Sequence, residues 1–172
     1  MPLQVRLRRW CRPRAIAIVL ISLLMWGMGT MGAIEPAAAE DYTRVMLLGA
    51  DFSEQDLRDS EFTKANLRQS DFHGSNLQGV SFFAANLEEV NLTGADLRDA
   101  TLDSARLVEA NLTNARLEGA FATNAKFEGA IITGADFTDV LMRSDAQAKL
   151  CAIAAGTNPI TGRDTRETLY CD

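Results

Sequence analysis

The sequence predicts a solenoid, because one pattern recurs every five residues across 50–142 without a break in register. Of the nineteen central positions in this run, sixteen are Leu or Phe. The residue two places before each centre is Ala or Ser in fifteen units, and the residue one place before is Asp or Asn in ten. Repeats of a fixed period bury their apolar side only by stacking on one another. We therefore expect a stack of coils around one apolar axis.

A five-residue period is compatible with neither regular element. On an α-helix, five steps turn a side chain by about 140° from its starting direction, so the apolar residues form no stripe. In an extended strand, five is an odd number, and successive centres point to opposite faces. The centres share an interior only if the chain turns a corner after each unit. Gly, Asn, Asp and Ser near the corners suit such turns.

The unit Ala95-Asp96-Leu97-Arg98-Asp99 is typical, and the whole run resembles the pentapeptide-repeat proteins. This resemblance implies an all-β solenoid, a right-handed quadrilateral β-helix with four units per coil. Nineteen units then make about five coils, and residues twenty apart lie in one column. The centres expected to form the core columns begin with Phe52, Leu57, Phe62, Leu67, Phe72, Leu77, Phe82, Leu87, Leu92 and Leu97.

The third column departs from this pattern near its end. Its centre at Ala122 is small, and apolar residues stand at outward positions beside this column, at Phe83, Phe121 and Leu141. In one interpretation, Phe121 turns inward to replace the missing centre or is covered by a C-terminal cap. In the other, the three residues are an exposed patch for a partner, a feature that is rare on soluble monomers without a use. They are the candidate partner patch.

The first 39 residues have the three parts of a secretory signal peptide. Residues 15–28 are almost entirely apolar, and Ala37-Ala38-Ala39 provides a small-residue cleavage site. The apolar core is about fourteen residues long, whereas a membrane span needs roughly twenty. An uncleaved anchor and a twin-arginine signal at Arg8-Arg9 remain alternatives. The basic stretch before the apolar core contains Arg6, Arg8, Arg9, Arg12 and Arg14.

Removal of this segment makes the chain strongly acidic. Five of the seventeen basic residues and one of the 23 acidic residues leave, so 12 bases and 22 acids remain, a formal charge of about −10. Such a surface disfavours nucleic acid and anionic lipid. Only Cys151 and Cys171 remain of the three cysteines, and in an exported protein such a pair predicts a disulfide. Two free thiols are the alternative.

The ends of the solenoid are predicted to be capped. Residues 40–49 form the expected N-terminal cap, and residues 143–172 form the C-terminal one. In the latter, Ser144-Asp145-Ala146-Gln147 resembles a capping box that starts a helix over 144–155, with Gly156 as its stop. A short second helix over 165–170 would bring Cys171 to Cys151. Caps of this kind cover the apolar cross-section and open strand edges at each end.

The C-terminal segment also resembles one branch of the family, the thylakoid-lumen pentapeptide-repeat proteins of cyanobacteria and chloroplasts. The resemblance implies an exported protein in the thylakoid lumen or periplasm, and the lack of a plastid transit segment before the signal favours a cyanobacterium-like cell. The matching residues are Leu150, Cys151, Ala154, Gly156, Asn158, Pro159, Thr161, Gly162, Thr165, Arg166, Leu169 and Cys171.

No catalytic site, cofactor site or metal site is predicted. His73 is the only histidine and stands at an outward position, and Glu88-Glu89 is interpreted as solvated surface. We therefore expect a non-catalytic exported scaffold or protein-binding module, whose partner is another protein and neither nucleic acid nor, after cleavage, a membrane. Two alternatives stay open: an acidic DNA mimic that acts on a DNA topoisomerase, and an unrecognised enzyme.

Overall fold

The structure is a computed structural model that describes residues 39–172. Residues 1–38 include all but the last residue of the predicted signal peptide and lie outside the described residues. The signal peptide and its cleavage after Ala39 therefore stay predictions. Within residues 39–172, no helix is long and apolar enough to cross a membrane.

Parallel β-bridges join residues twenty positions apart in the chain. The first joins Asp41 to Glu61, and the last of the ladder joins Phe121 to Leu141. Each contact is an isolated bridge and not a continuous strand, because the chain turns after every pentapeptide. Twenty residues thus make one coil with four sides. We number the sides one to four by the centres they carry in one coil, which are Phe72, Leu77, Phe82 and Leu87.

The inner units are held by a recurring set of backbone hydrogen bonds. The N–H of Leu97 donates to the C=O of Arg116 in the next coil (2.7 Å), and the N–H of Ala100 donates to the C=O of Leu97 to close the corner (3.1 Å). The second residue after the centre usually has a positive φ, including Gly79 at +71°. A Cβ at Gly79 would lie 2.5 Å from a carboxylate oxygen of Asp59 in the preceding coil, so a side chain here would require both a positive φ and a shift of the Asp59 side chain.

The coils begin earlier than the sequence prediction, which assigned 40–49 to a cap. Tyr42 and Leu47 occupy central positions, and the N–H groups of both donate to the next coil. The Tyr42 ring stacks on Phe62 with centroids 4.7 Å apart. The first two units were missed because Glu40 and Val45 stand where later units have Ala or Ser. Glu40 is half-buried and Val45 is exposed, so the tight size limit of the inner coils does not apply to these two positions.

The core is a set of stacked centres that water does not reach. Phe62, Phe72 and Phe82 are fully buried, as are the Leu centres that follow them up to Leu117. Phe rings stack along side one and side three and meet edge-to-face across the axis, as Phe62 and Phe72 do at 5.7 Å. Each fully buried centre contributes roughly 1.5–3 kcal/mol of apolar burial.

The C-terminal cap contains two helices, α1 (Ser144–Cys151) and α2 (Thr165–Thr168). The prediction of a capping box is wrong, because the N-cap residue of α1 is Arg143 and no side chain makes a capping hydrogen bond there. Gln147 instead donates to the C=O of Leu169 (2.7 Å) and ties the two helices together. Helix α1 ends at Cys151, before the predicted limit of 155, and Gly156 belongs to the connection that packs on the last coil.

Three features fix the cap. The sulfurs of Cys151 and Cys171 are joined at 2.03 Å. The Arg166 guanidinium donates to the C=O of Cys151 (3.0 Å) and of Asp172 (3.1 Å), so it spans both sides of this link. Asn158, which is fully buried, reaches from the cap into the coils. The cap is therefore held by covalent, ionic and buried polar contacts at once.

Candidate protein-binding surface

The outward residues that precede the centres of side three change character along the rod. In chain order they are Asp41, Glu61, Ser81, Thr101, Phe121 and Leu141. The column is acidic at its N-terminal end and apolar at its C-terminal end. Phe121 and Leu141 are adjacent on the ladder, and their side chains are 46% and 57% exposed. The structure thus brings two of the three residues of the candidate patch together.

The Phe121 side chain points outward and is exposed, so it neither replaces the missing centre nor is covered by the cap. Ala122 occupies the central position and is fully buried, while partly buried Met142 closes the column behind it. The Phe121 N–H and C=O are both committed to the neighbouring coil, through Ala100 (2.9 Å) and Leu102 (2.7 Å). This backbone pairing keeps the residue in its outward register, since a residue next to a centre points the other way.

Phe83 is not part of the same patch. It lies on the other flank of side three, where its C=O accepts from Lys64, and the next residue of its own column is Asp103. Two coils separate it from the level of Phe121, which is about 10 Å along the axis at ~4.8 Å per coil. The side chain is 39% exposed. The apolar surface therefore comprises the pair Phe121 and Leu141, with Phe83 as a separate residue.

The corner after Ala122 is the one irregular corner of the described coils. Asn124 lacks the positive φ that every corresponding residue from Arg44 to Asp139 has. Its N–H and its side-chain amide both donate to the Asp103 carboxylate, each at 3.1 Å. The chain leaves the coil at Arg143, so no further coil is present to accept this N–H. The corner lies next to the exposed pair.

Side two carries charge rather than apolar surface. The Arg98 guanidinium lies 2.6 Å from the Asp96 carboxylate, and Arg116 lies between Asp96 (3.6 Å) and Glu118 (2.9 Å). Burial by itself raises the pKa of Asp96, but the hydrogen bonds and charge of Arg98, with the charge of Arg116, lower this pKa below its ordinary value. These four charges are therefore paired with one another.

The same side anchors the cap through Asp136, whose side chain is fully buried. Its carboxylate accepts from the N–H and hydroxyl of Thr138 and lies 3.1 Å from the Arg163 guanidinium. Burial alone raises the pKa of Asp136, but the Thr138 hydrogen bonds and the Arg163 charge lower it below its ordinary value. Arg163 belongs to the cap, so this contact docks the cap on the last coil.

The sequence analysis missed a groove between side four and α1. It has a volume of about 760 Å³ and is lined by residues 123–133 of the last coil and by Arg143, Asp145, Ala146, Lys149, Leu150 and Ile153 of the cap, where Asp145 is paired with Arg143. The sequence contains one indication of this groove: the last centre of the fourth column is Phe127, whereas the third column has one further centre, Met142. An incomplete last coil leaves one side without its final layer.

The remaining candidates for chemistry are dispersed on the surface. The His73 ring lies 3.3 Å from Asp71 and 3.8 Å from Glu54, and all three side chains are well exposed. Glu88 contacts Arg106 and Glu89 contacts Arg68, so both acids of this pair are engaged in surface ion pairs. Within residues 39–172, no group of three or more His, Cys, Asp or Glu side chains is placed to hold a metal ion.

Comparisons with known proteins identify the repeat. The family model for a pentapeptide repeat region matches residues 41–112, and the model for eight copies of the pentapeptide repeat matches residues 105–143. No functionally curated protein matches the chain.

Solved structures give the same result. A pentapeptide repeat protein from the Arabidopsis thaliana thylakoid lumen is 49% identical, with a TM-score of 0.72, over 73% of this chain and 88% of that chain. A pentapeptide repeat protein from Nostoc PCC 7120 is 28% identical, with a TM-score of 0.50, over 61% of this chain and 86% of that chain. These neighbours imply that the four-sided coil is a right-handed quadrilateral β-helix.

Proposed function

The chain belongs to the pentapeptide-repeat proteins, and on that premise we propose that it is a non-catalytic exported scaffold that binds another protein. One observation carries the proposal: Phe121 and Leu141 form an exposed apolar pair on a rod whose other outward positions are mainly polar. Burial of such an apolar surface against a partner stabilises the complex by about 25 cal/mol per Å² removed from water.

The location that we propose is the thylakoid lumen or the periplasm of a cyanobacterium-like cell. The lumenal relative from Arabidopsis thaliana supports it, as do the signal-like first 39 residues and the link between Cys151 and Cys171. Disulfides persist in exported compartments and are rare in the cytosol. We propose that this pair is oxidised in the working protein and that the N-terminus of that protein is Glu40.

The binding proposal is tested by comparing tagged variants in lumenal or periplasmic extracts. The double variant Phe121→Ser with Leu141→Ser removes the apolar pair, and Leu48→Ser removes a similarly exposed apolar side chain at the opposite end of the rod. We expect a partner that is retained by the wild type and by Leu48→Ser and lost by the double variant. If all three proteins retain the same set of partners, the apolar pair is not the binding surface.

The location is tested separately by cell fractionation and N-terminal sequencing. We expect a chain that begins at Glu40 in the lumenal or periplasmic fraction. Recovery of the uncleaved chain from the cytoplasm would contradict export and would favour the topoisomerase alternative, since only there does the protein meet the enzymes of DNA. A supercoiling assay with a purified DNA topoisomerase would then decide that alternative.

A further inference from the structure

In the last coil, side three has a further layer, sides one and two each have one contact from the cap at their edge groups, and side four has neither among the described residues. On side one, the N–H of Gly134 donates to the C=O of Ala155 in the cap (2.8 Å), and on side two the N–H of Phe137 donates to the Thr168 hydroxyl (3.1 Å). On side three, the chain itself supplies Leu141 as a further layer. Side four has neither a further layer nor a cap contact of this kind among the described residues.

One coil earlier, side four shows what is missing. The N–H groups of Leu107 and Glu109 donate to the next layer (2.7 and 2.9 Å), and the C=O of Ala105 accepts from it (2.9 Å). In the last coil the corresponding groups are the N–H of Phe127 and Gly129 and the C=O of Ala125. Among residues 39–172 none of these three groups has a hydrogen-bond partner.

This open edge faces the groove beside α1. Ala105 and Leu107 are fully shielded from water, whereas Ala125 and Phe127 are 7% and 8% exposed, so the apolar interior begins to open at this level. An unpaired strand edge next to apolar surface is a template for pairing with another chain. Extended peptides bind such edges by adding one strand, with backbone bonds for affinity and side-chain positions for specificity.

The charges of the groove indicate which peptide fits. Lys126 has no ion-pair partner among the described residues, whereas Arg106, the next residue back on its ladder, is paired with Glu88. On the other flank of the edge, Glu128 follows Val108 in its column and has only a long contact to Lys149 (3.8 Å). In a strand added to this edge, each residue would lie directly beside one residue of the last coil, so an acidic residue beside Lys126 and a basic residue beside Glu128 would be attracted.

We propose that side four of the last coil binds an extended segment of the partner protein that reads small residue, acidic residue, large apolar residue. The small residue continues the column that ends at Ala125, the acid lies beside Lys126, and the apolar residue covers Phe127. A basic residue after the apolar one lies beside Glu128. The inference rests on the proposed function as a protein-binding module and adds a second contact surface, distinct from Phe121 and Leu141.

A peptide copied from this chain is a suitable probe. Residues 94–100, Gly-Ala-Asp-Leu-Arg-Asp-Ala, carry the required small, acidic, apolar and basic residues in order. We expect a fluorescently labelled form to bind the oxidised protein saturably in a polarisation assay. Lys126→Glu should weaken binding about 5-fold, the equivalent of about 1 kcal/mol from a lost cross-strand pair and a new repulsion. Lys64→Glu, the same charge change at another exposed lysine, should bind as the wild type does.

N-methylated peptides test the strand geometry itself. In every layer the N–H before the centre points to the preceding coil, as that of Lys126 does, and the N–H of the centre points to the following one, as that of Leu107 does. N-methylation of the peptide aspartate at the Asp96 position should therefore abolish binding. N-methylation of the peptide leucine at the Leu97 position, which points away from the edge, should leave binding unchanged.

Three outcomes would overturn the proposal. Equal binding of both N-methylated peptides would exclude strand addition. If Lys64→Glu weakens peptide binding as much as Lys126→Glu does, the overall charge of the protein attracts the peptide and no specific site at Lys126 is involved. Concentration-dependent self-association that Lys126→Glu removes would assign the edge to a second copy of the chain. The double variant Phe121→Ser with Leu141→Ser is expected to bind the peptide normally, so failure of the proposed partner surface and failure of this one are distinguishable.

Discussion

Replacement of Asn158 by Ala tests how the cap is held on the coils. The Asn158 side chain is fully buried. Its amide NH₂ donates to the C=O of Gly134 (2.9 Å) and lies within 3.3 Å of two further carbonyls, those of Asn114 and Ala115. Its amide oxygen accepts from the N–H groups of the two residues that follow Pro159 (3.0 and 3.1 Å). One side chain therefore joins the cap to two coils.

The expected loss of unfolding free energy depends on which hydrogen-bond partners of Asn158 can bond to water in the variant. The Gly134 carbonyl is left without a donor inside the protein, which costs about 1–3 kcal/mol. The two N–H groups lie in an exposed turn, where water replaces part of the lost bonds at roughly 0.5–1 kcal/mol each. We expect Asn158→Ala to lower the free energy of unfolding by about 2–5 kcal/mol. With a urea m-value near 2 kcal/mol/M, the midpoint falls by about 1–2.5 M.

Urea unfolding of the oxidised protein, followed by circular dichroism, measures this shift. Asn86→Ala is the matched control, because the Asn86 side chain is half-buried and accepts one hydrogen bond, from the Glu88 N–H (3.1 Å). We expect the control to lose less than about 1 kcal/mol. If Asn158→Ala lies within about 0.5 kcal/mol of the wild type, the buried amide does not hold the cap on the coils.

Three further predictions concern the core, the covalent link and pH. Leu97→Asp should unfold the rod, because it buries an unpaired charge at a fully shielded centre, and an unchanged melting temperature would contradict the stacked columns. Reduction of the Cys151–Cys171 bond, which closes a loop with a sequence separation of 20, should cost roughly 3 kcal/mol by urea unfolding, with no effect of reductant on a variant that has Ser at both positions. The pKa of Asp136 is lowered in the folded protein, so its stabilisation is complete above the ordinary Asp pKa near 3.8 and is lost as pH falls through the lower folded value. Asp136→Asn should therefore be less stable than the wild type at pH 7, and this difference should shrink below pH 4.

The coil was predictable because a five-residue repeat leaves few ways to bury the large central residues. A large residue in every fifth position can be buried only if the chain turns between units, and the Leu97 column shows that burial. The N-terminal limit was not predictable in the same way. Tyr42 is a regular centre, but Glu40 stands at the small position of its unit, so the five-residue pattern of the sequence does not include this unit.

The cap and the open edge depend on long-range contacts that leave little trace in the sequence. Local residues suggested a capping box, yet Gln147 bonds to Leu169 across the cap, because a tertiary partner competes with the local one. The direction of Phe121 depends on backbone pairing with Ala100 and Leu102 rather than on its own apolarity. The groove could be located only once the cap was in place.

The end of a repetitive rod is the place where a specific surface can arise. Inside the stack each layer is bonded above and below, so its side chains are restricted to those that fit both neighbours. Where the chain leaves the coil after Met142, this restriction ends on one side, and outward positions change from the polar residues of earlier coils to Phe121, Ile131 and Leu141. The cap then contacts sides one and two, the chain itself pairs on side three, and the edge at Phe127 is left available. Stability and recognition are thus divided between neighbouring sides of a single coil, which is why substitutions at the edge should alter binding while those at Asn158 should alter unfolding.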